Sequence, residues 1–127
     1  MGASRWLIGA ALLCSVVHAE PVLDIKAAEI HEDDTGYIAN NAIWFSDEED
    51  LAVWKRVRQV FAPKDVEAYQ SIILETRQAW QFIAGPLMVK VISYDAERHE
   101  IQVKMQTKGR FEGTDWWVDD KDYLKTK

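Results

Sequence analysis

The sequence predicts an α+β domain in which two helices pack on one face of a C-terminal three-stranded antiparallel sheet. Two observations lead to this fold class. Between residues 51 and 83, apolar residues recur at intervals of three and four, which is the period of an α-helix. After Pro86 the period changes to two, as in a β-strand that buries one face. Helices covering one face of an antiparallel sheet bury both patterns.

The first predicted helix covers residues 47–61. Ser46 is expected to be its N-cap, because Glu49 follows three residues later and the two can form a capping box. Pro63 marks its end, since a proline disfavours the helical conformation of the residue before it. The apolar stripe of this helix consists of Leu51, Trp54, Val57 and Phe61.

The second predicted helix covers residues 64–83. Gly85 and Pro86 are expected to stop it, because glycine adopts the left-handed cap and proline cannot continue a helix. Its apolar positions alternate between spacings of three and four and are Val66, Tyr69, Ile73, Thr76, Trp80 and Ile83.

The predicted sheet covers residues 87–119. Its second strand, "EIQVKMQT", places Ile101, Val103 and Met105 on one face. The segment "RFE" lies between two glycines and is expected to continue that strand through a bulge. "WWV" is the short third strand.

The remaining parts of the chain have weaker patterns. Residues 20–45 are predicted to be an irregular N-terminal segment that ends in a short strand or buried extended chain, and the charged tail after residue 119 is expected to fray. Two helices followed by an antiparallel meander is an order of elements similar to that of small cone-shaped folds of the cystatin or NTF2 type. The similarity concerns architecture alone.

The first residues have the pattern of a removable secretory signal. Arg5 precedes an apolar run that is shorter than the ~20 residues of a membrane span, and Val17 and Ala19 are the small residues that a signal peptidase accepts. We expect a signal peptide at 1–19 and a single domain at 20–127. Cys14, the only cysteine, falls within the signal and follows a leucine, which makes a lipid anchor unfavourable. A domain without disulfides fits the bacterial periplasm better than eukaryotic secretion, and a freely secreted protein is the alternative.

The formal net charge of −6 excludes some classes of partner. Binding to nucleic acid depends on basic side chains that neutralise phosphates, and attachment to anionic lipid depends on the same charges. The acidic surface suits a basic partner protein or serves solubility. We therefore expect a protein partner, no nucleic acid, and no membrane span in the chain after residue 19.

No catalytic residue, metal ligand or cofactor is predicted. His31 and His99 lie among carboxylates, but neither stretch has the spacing of a metal site. A weaker hypothesis makes His99 a general base that is oriented by Asp95 or Glu97.

The adjacent tryptophans Trp116 and Trp117 are the feature of the sequence that most directly indicates a binding surface. Neighbouring side chains of a strand point to opposite faces, so one ring is expected under the helices and the other on the outer face of the sheet. The expected binding residues are Trp117, Trp116, Phe111, Arg110 and Asp119. Trp117 is expected on the outer face, and a shift of the third strand by one residue would exchange it with Trp116.

Two functional hypotheses follow from these observations. The first is an exported, non-enzymatic protein-interaction module, such as an accessory subunit of an envelope complex or an inhibitor or immunity protein. The alternative is a domain that binds a small ligand or carbohydrate in a pocket between helix and sheet, lined by Tyr69, Trp80, Tyr94 and His99.

Overall fold

A computed structural model of the chain describes residues 30–126 and has an α+β fold. The predicted signal peptide at 1–19 lies outside the described residues. In chain order the helices and strands are β1 (Thr35–Ile38), β2 (Ile43–Phe45), α1 (Glu48–Val60), α2 (Pro63–Glu75), β3 (Ala79–Gln81), β4 (Leu87–Asp95), β5 (Glu100–Met105), β6 (Asp115–Asp119) and β7 (Tyr123–Leu124), with a 3₁₀ turn (Asp120–Asp122) before β7.

Helix α1 matches the first predicted helix, but its cap is one residue later than expected. The side chain of Asp47, not that of Ser46, accepts a hydrogen bond of 2.9 Å from the backbone N–H of Glu49. An aspartate is as good an N-cap as a serine, and its charge also complements the positive end of the helix.

Helix α2 ends at Glu75, so the helix predicted for residues 76–83 is wrong. The Thr76 hydroxyl donates to the carbonyl of Ile72, and Arg77 has a left-handed φ of 63°, which stops the helix. The chain then forms β3, in which Trp80 pairs with Trp44 of β2. Strand pairing with a distant segment therefore overrides the helical spacing of Trp80 and Ile83.

The sheet has seven antiparallel strands in the order β3–β2–β6–β5–β4–β1–β7, rather than the three predicted. The three predicted strands correspond to β4, β5 and β6, which are neighbours in this order. The segment Arg110–Glu112 does not continue β5. Strand β5 ends at Met105, and residues 106–114 form a loop whose ends are joined by hydrogen bonds between Met105 and both Gly113 and Thr114.

Residues 30–45 and the C-terminal tail are more ordered than the sequence predicts. The expected irregular segment contributes β1 and β2, and the expected frayed tail contributes β7, which pairs with β1. Tyr123 anchors the tail because its side chain is buried against Gly36, where any larger residue would clash with the tyrosine ring.

Strands β2, β3 and β6 bury side chains on both faces. On one face Ile43, Phe45 and Ala79 form a core with residues of the helices, which are Leu51, Trp54 and Ile73. Phe45 lies opposite Trp117, so Trp117 shares the helix-covered face. Trp44, Trp80 and Trp116 therefore lie on the other face.

The alternation of apolar and polar residues predicted for β5 is present. It shows on which face of the sheet the apolar side chains of the central strands lie. Ile101, Val103 and Met105 are buried. Because Val103 lies opposite Trp116, these side chains are on the face of Trp116 and not on the face of Trp117. Neither helix of residues 30–126 is long and apolar enough to cross a membrane.

Candidate functional site

Five aromatic rings form a cluster on the sheet face opposite the helices. The ring of Trp116 contacts each of the other four, with centroid separations of 5.9–6.2 Å. Most of the contacts are edge-to-face, which is the arrangement that aromatic quadrupoles favour. The cluster, named here the aromatic cluster, consists of Trp44, Trp80, Phe82, Phe111 and Trp116.

The aromatic cluster joins strands to loops. Trp44 and Trp116 are buried in β2 and β6, and the indole Nε1 of Trp116 donates to the hydroxyl of Thr114 over 2.7 Å. Phe82 follows β3, and Phe111 belongs to the 106–114 loop, where both rings are half-buried. The cluster therefore holds this loop against the end of β3.

An apolar cleft of about 380 Å³ lies beside the aromatic cluster. Its walls are the segment after β3 and the loop after β5, and it is lined by Gln81, Phe82, Ile83, Ala84, Leu87, Met105, Thr107, Lys108, Gly109, Arg110 and Phe111. Its volume lies near the lower end of the range of roughly 300–1,000 Å³ for ligand sites. This surface is named here the aromatic cleft.

The most exposed large apolar side chain at the aromatic cleft is Ile83, which is 80% exposed. Lys108 and Arg110 are exposed at the same cleft, and the guanidinium of Arg110 lies 5.1 Å from the centroid of Phe111. Among residues 30–126, no aspartate or glutamate lines the cleft. An apolar surface with a basic rim is therefore present on an acidic chain.

The structure separates the five predicted binding residues. Phe111 and Arg110 line the aromatic cleft, and Trp116 is buried behind it. Trp117 is half-buried against the core under the helices, so its expected place on the outer face is wrong. Register decides this point, because Trp117 pairs with Phe45 of β2, a strand that the sequence does not place in the sheet.

Asp119, the fifth predicted residue, lies away from the aromatic cleft. It is buried, and its carboxylate lies 3.6 Å from the guanidinium of Arg58 on α1. The same side chain accepts a hydrogen bond of 3.0 Å from the backbone N–H of Lys121 and so caps the 3₁₀ turn. These contacts give Asp119 a structural role.

A second buried carboxyl, that of Glu100, lies beside Asp119 on the neighbouring strand. Burial raises the pKa of Glu100 to about 7, and a hydrogen bond with Glu48 adds to the shift. Lys55 at 3.9 Å and Arg98 at 3.4 Å oppose the shift without cancelling it. Both basic side chains also bind the turn between β4 and β5 to helix α1, since Lys55 donates to the carbonyl of Arg98 and Arg98 lies 4.0 Å from Glu48.

His99 is oriented by Asp120 and not by Asp95 or Glu97. Its Nδ1 atom lies 3.0 Å from Oδ2 of Asp120, and the hydroxyl of Tyr94 donates to the same oxygen over 2.7 Å. Asp95 instead accepts a hydrogen bond from the backbone N–H of Arg98. Burial, together with the hydrogen bond and charge of Asp120, raises the pKa of Tyr94 above its usual range. The hydroxyl of Tyr94 therefore stays protonated and donates this hydrogen bond to Asp120.

A second cavity, of about 300 Å³, lies between the helices and the sheet. Its floor is apolar and includes Trp54, whereas its rim carries the ion pair of Arg58 with Asp119. The Trp54 ring already has two neighbours, because Tyr69 stacks with it at 6.1 Å and the guanidinium of Arg58 lies 5.5 Å from its centroid. The remaining lining residues are Asn40, Asn41, Ala42, Ile43, Leu51, Val66, Gln70, Gln81, Lys121 and Asp122.

The four residues predicted to line a helix–sheet pocket lie at three separate places. Trp80 belongs to the aromatic cluster on the other face, and Tyr69 packs on Trp54. Tyr94 and His99 form the cluster with Asp120 at the turn between β4 and β5. Within residues 30–126, no group of three or more histidine, cysteine and acidic side chains is placed to hold a metal ion.

Sequence reasoning missed Ile83, Phe82 and Lys108. The run "WQFI" falls at the end of the second predicted helix, where Ile83 would be a core residue. The signal for a strand was present in the alternation of Trp80 and Phe82, which is the period of a strand.

Comparison with known proteins adds no family. No family model matches the chain, and no curated protein and no solved structure is significantly similar to it.

Proposed function

We propose that the chain is an exported, non-enzymatic protein-interaction module whose partner binds at the aromatic cleft. The observation that carries the proposal is the exposure of Ile83 beside an apolar cleft that has aromatic walls. Aromatic and arginine side chains are the residue types that dominate binding energy at protein interfaces, and Phe111 and Arg110 supply both here.

Export to the periplasm is part of the proposal and is supported by the sequence of the first residues. A basic residue, a short apolar run and small residues before position 20 are typical of a secretory signal. An accessory subunit of an envelope complex and an inhibitor or immunity protein both suit a small acidic domain of this kind. The identity of the captured partner distinguishes the two.

The experiment is affinity capture from an envelope extract of the organism that encodes the chain, with the full-length tagged protein expressed in its own host. Ile83→Gln is compared with Ile72→Gln, which removes a second exposed isoleucine from the surface of α2. Exposed substitutions change stability by less than about 0.5 kcal/mol, so both variants should fold. We expect Ile83→Gln to lose the partner and Ile72→Gln to retain it.

Equal capture by both variants would contradict the assignment of the cleft. Quantitative mass spectrometry of the eluted proteins gives the comparison, and circular dichroism of each purified variant shows that the fold is unchanged.

The cavity between the helices and the sheet favours a second candidate function, the binding of a small polar ligand such as a sugar. Its rim offers amide and charged groups from Asn40, Asn41, Gln70, Arg58 and Asp119 above an apolar floor. Because Tyr69 and Arg58 already pack against the Trp54 ring, such a ligand would be held mainly by the polar rim.

A titration with a panel of sugars, followed by NMR of the indole N–H groups, tests this candidate. A selective shift of the Trp54 signal supports it, and an unchanged signal at millimolar ligand eliminates it.

A further inference from the structure

Strand β3 is at the end of the sheet. It pairs with β2 on one side, and no strand of residues 30–126 lies along its other edge. The backbone N–H and C=O groups of a free edge are a ready template for another strand.

Hydrogen bonding beyond β3 shows which backbone groups face this free edge. The carbonyl of Phe82 accepts a hydrogen bond from the backbone N–H of Asn41, so the polar groups of Phe82 are directed toward the segment that precedes β2. Backbone polar groups alternate along an extended chain, and those of Gln81 and Ile83 are therefore directed away from β2. Both of these residues also line the aromatic cleft.

The charge of the cleft is opposite to that of the chain. Lys108 and Arg110 line it without any acidic neighbour in the lining, while the chain as a whole carries a net charge of −6. Neither side chain forms an ion pair with a carboxylate of residues 30–126. Their charges are available to an anionic group of the occupant.

We propose that the partner contributes an extended acidic segment, which pairs with the free edge of β3 as an additional strand. One apolar side chain of this segment enters the aromatic cleft, and a neighbouring carboxylate meets Lys108 and Arg110. Main-chain pairing gives such complexes their affinity, and pockets for alternate side chains give them their specificity. The inference rests on the proposed function of the aromatic cleft as a protein-binding surface.

The test uses random linear peptides of about twelve residues, displayed on phage and selected against the full-length protein. The selected peptides are synthesised, and their affinities are measured by fluorescence polarisation. We expect peptides in which an apolar residue lies next to an acidic one in an extended pattern.

Charge reversal tests the contact with the carboxylate. The double variant Lys108→Glu/Arg110→Glu should weaken binding by roughly tenfold or more, because it replaces attraction by repulsion. The control Arg56→Glu/Lys64→Glu makes the same change of charge at two exposed positions on the helices and should weaken binding by less than about twofold.

Methylation of the peptide backbone tests strand pairing without altering the protein. A methyl group on an amide that faces β3 should abolish binding, whereas a methyl group on the next amide should be tolerated, because strand hydrogen bonds alternate. Equal effects at successive amides would overturn the strand-addition proposal.

The remaining outcomes separate this inference from the proposed function. Peptides that bind through Ile83 but ignore charge reversal would overturn the acidic segment and leave the proposed function standing. Selection that yields no peptide, or only peptides that bind Ile83→Gln normally, would overturn the inference, while capture of the natural partner would still test the function. If decanoate binds the cleft more tightly than every peptide, the occupant is an acyl carboxylate and the protein segment is overturned.

Discussion

The ring of Phe111 lies 5.0 Å from the ring of Trp80, centroid to centroid, and crosses it at 65°. Phe111 belongs to the loop after β5, and Trp80 belongs to β3, so this contact joins one wall of the aromatic cleft to the strand that leads into the other wall. The shape of the cleft therefore depends on aromatic packing and not on a single rigid element.

Phe111→Ala is expected to lower the free energy of unfolding by about 1–3 kcal/mol, because it removes a half-buried ring from the aromatic cluster. Chemical denaturation measures the change, and near-ultraviolet circular dichroism should show the loss of ring contacts. Phe61→Ala is the matched control, since the ring of Phe61 is 54% exposed after α1. A similar loss in both variants would contradict the structural role of Phe111.

Gly36→Ala should destabilise the pairing of β1 with β7. A methyl group at Gly36 would lie 2.6 Å from Cε1 of Tyr123 and closer still to its hydroxyl. We expect a loss of about 1–3 kcal/mol, which is typical of overpacking in a core. Thermal unfolding monitored by circular dichroism measures this change.

Tyr123→Phe provides a control for the effect at Gly36. The hydroxyl of Tyr123 is buried and has no hydrogen-bond partner among residues 30–126, so its removal should be neutral or stabilising. It should also recover part of the stability that Gly36→Ala loses. Strict additivity of the two substitutions would show that the two residues do not interact.

Glu100 should make stability depend on pH. Its folded-state pKa of about 7 lies above the ordinary value of 4.5, so its contribution to stability is fully present below pH 4.5 and is lost as the pH rises through about 7. The loss should be on the order of 3 kcal/mol, and Glu100→Gln should remove this part of the pH profile. Denaturation at several pH values tests this expectation, which parallel profiles of the two proteins would contradict.

The hydrogen bond between His99 and Asp120 predicts the tautomer of the imidazole ring. Because a carboxylate only accepts hydrogen bonds, neutral His99 should carry its proton on Nδ1 and leave Nε2 bare. Nitrogen-15 chemical shifts of the ring distinguish the tautomers. The Asp120→Asn variant should lose this preference, and a proton on Nε2 in the wild-type protein would contradict the assigned contact.

The helix–strand order was predictable only where local signals agreed with long-range pairing. Helix α1 has a cap, an apolar stripe and a proline after its end, and its prediction required no distant partner. Trp80 had a helical spacing from Ile73 and Thr76, yet it pairs with Trp44, which is 36 positions away in the chain. Such pairing is not visible in local periodicity, because it is decided by tertiary packing.

The opposite placement of Trp116 and Trp117 followed from the strand period, but the face of each did not. The face is set by the pairing of Trp117 with Phe45, and β2 was not recognised as a strand of the sheet. Phe111 and Arg110 were predicted to be binding residues at the surface. Ile83 was not, because it was placed on the apolar stripe of the second predicted helix, where the chain does not form a helix. The buried carboxyls of Glu100 and Asp120 were also missed, because burial of a charged residue has no signal in a single sequence.

Site-specific photo-cross-linking is the most direct test of the claim that the aromatic cleft binds a protein. Benzoylphenylalanine is introduced at Ile83 and, as a control, at Ile72, and the cells are irradiated before the envelope is solubilised. We predict one cross-linked protein at position 83 and none at position 72, with the adduct on an extended segment that carries acidic and apolar residues. No adduct at position 83, or an equally strong adduct at position 72, would contradict the account.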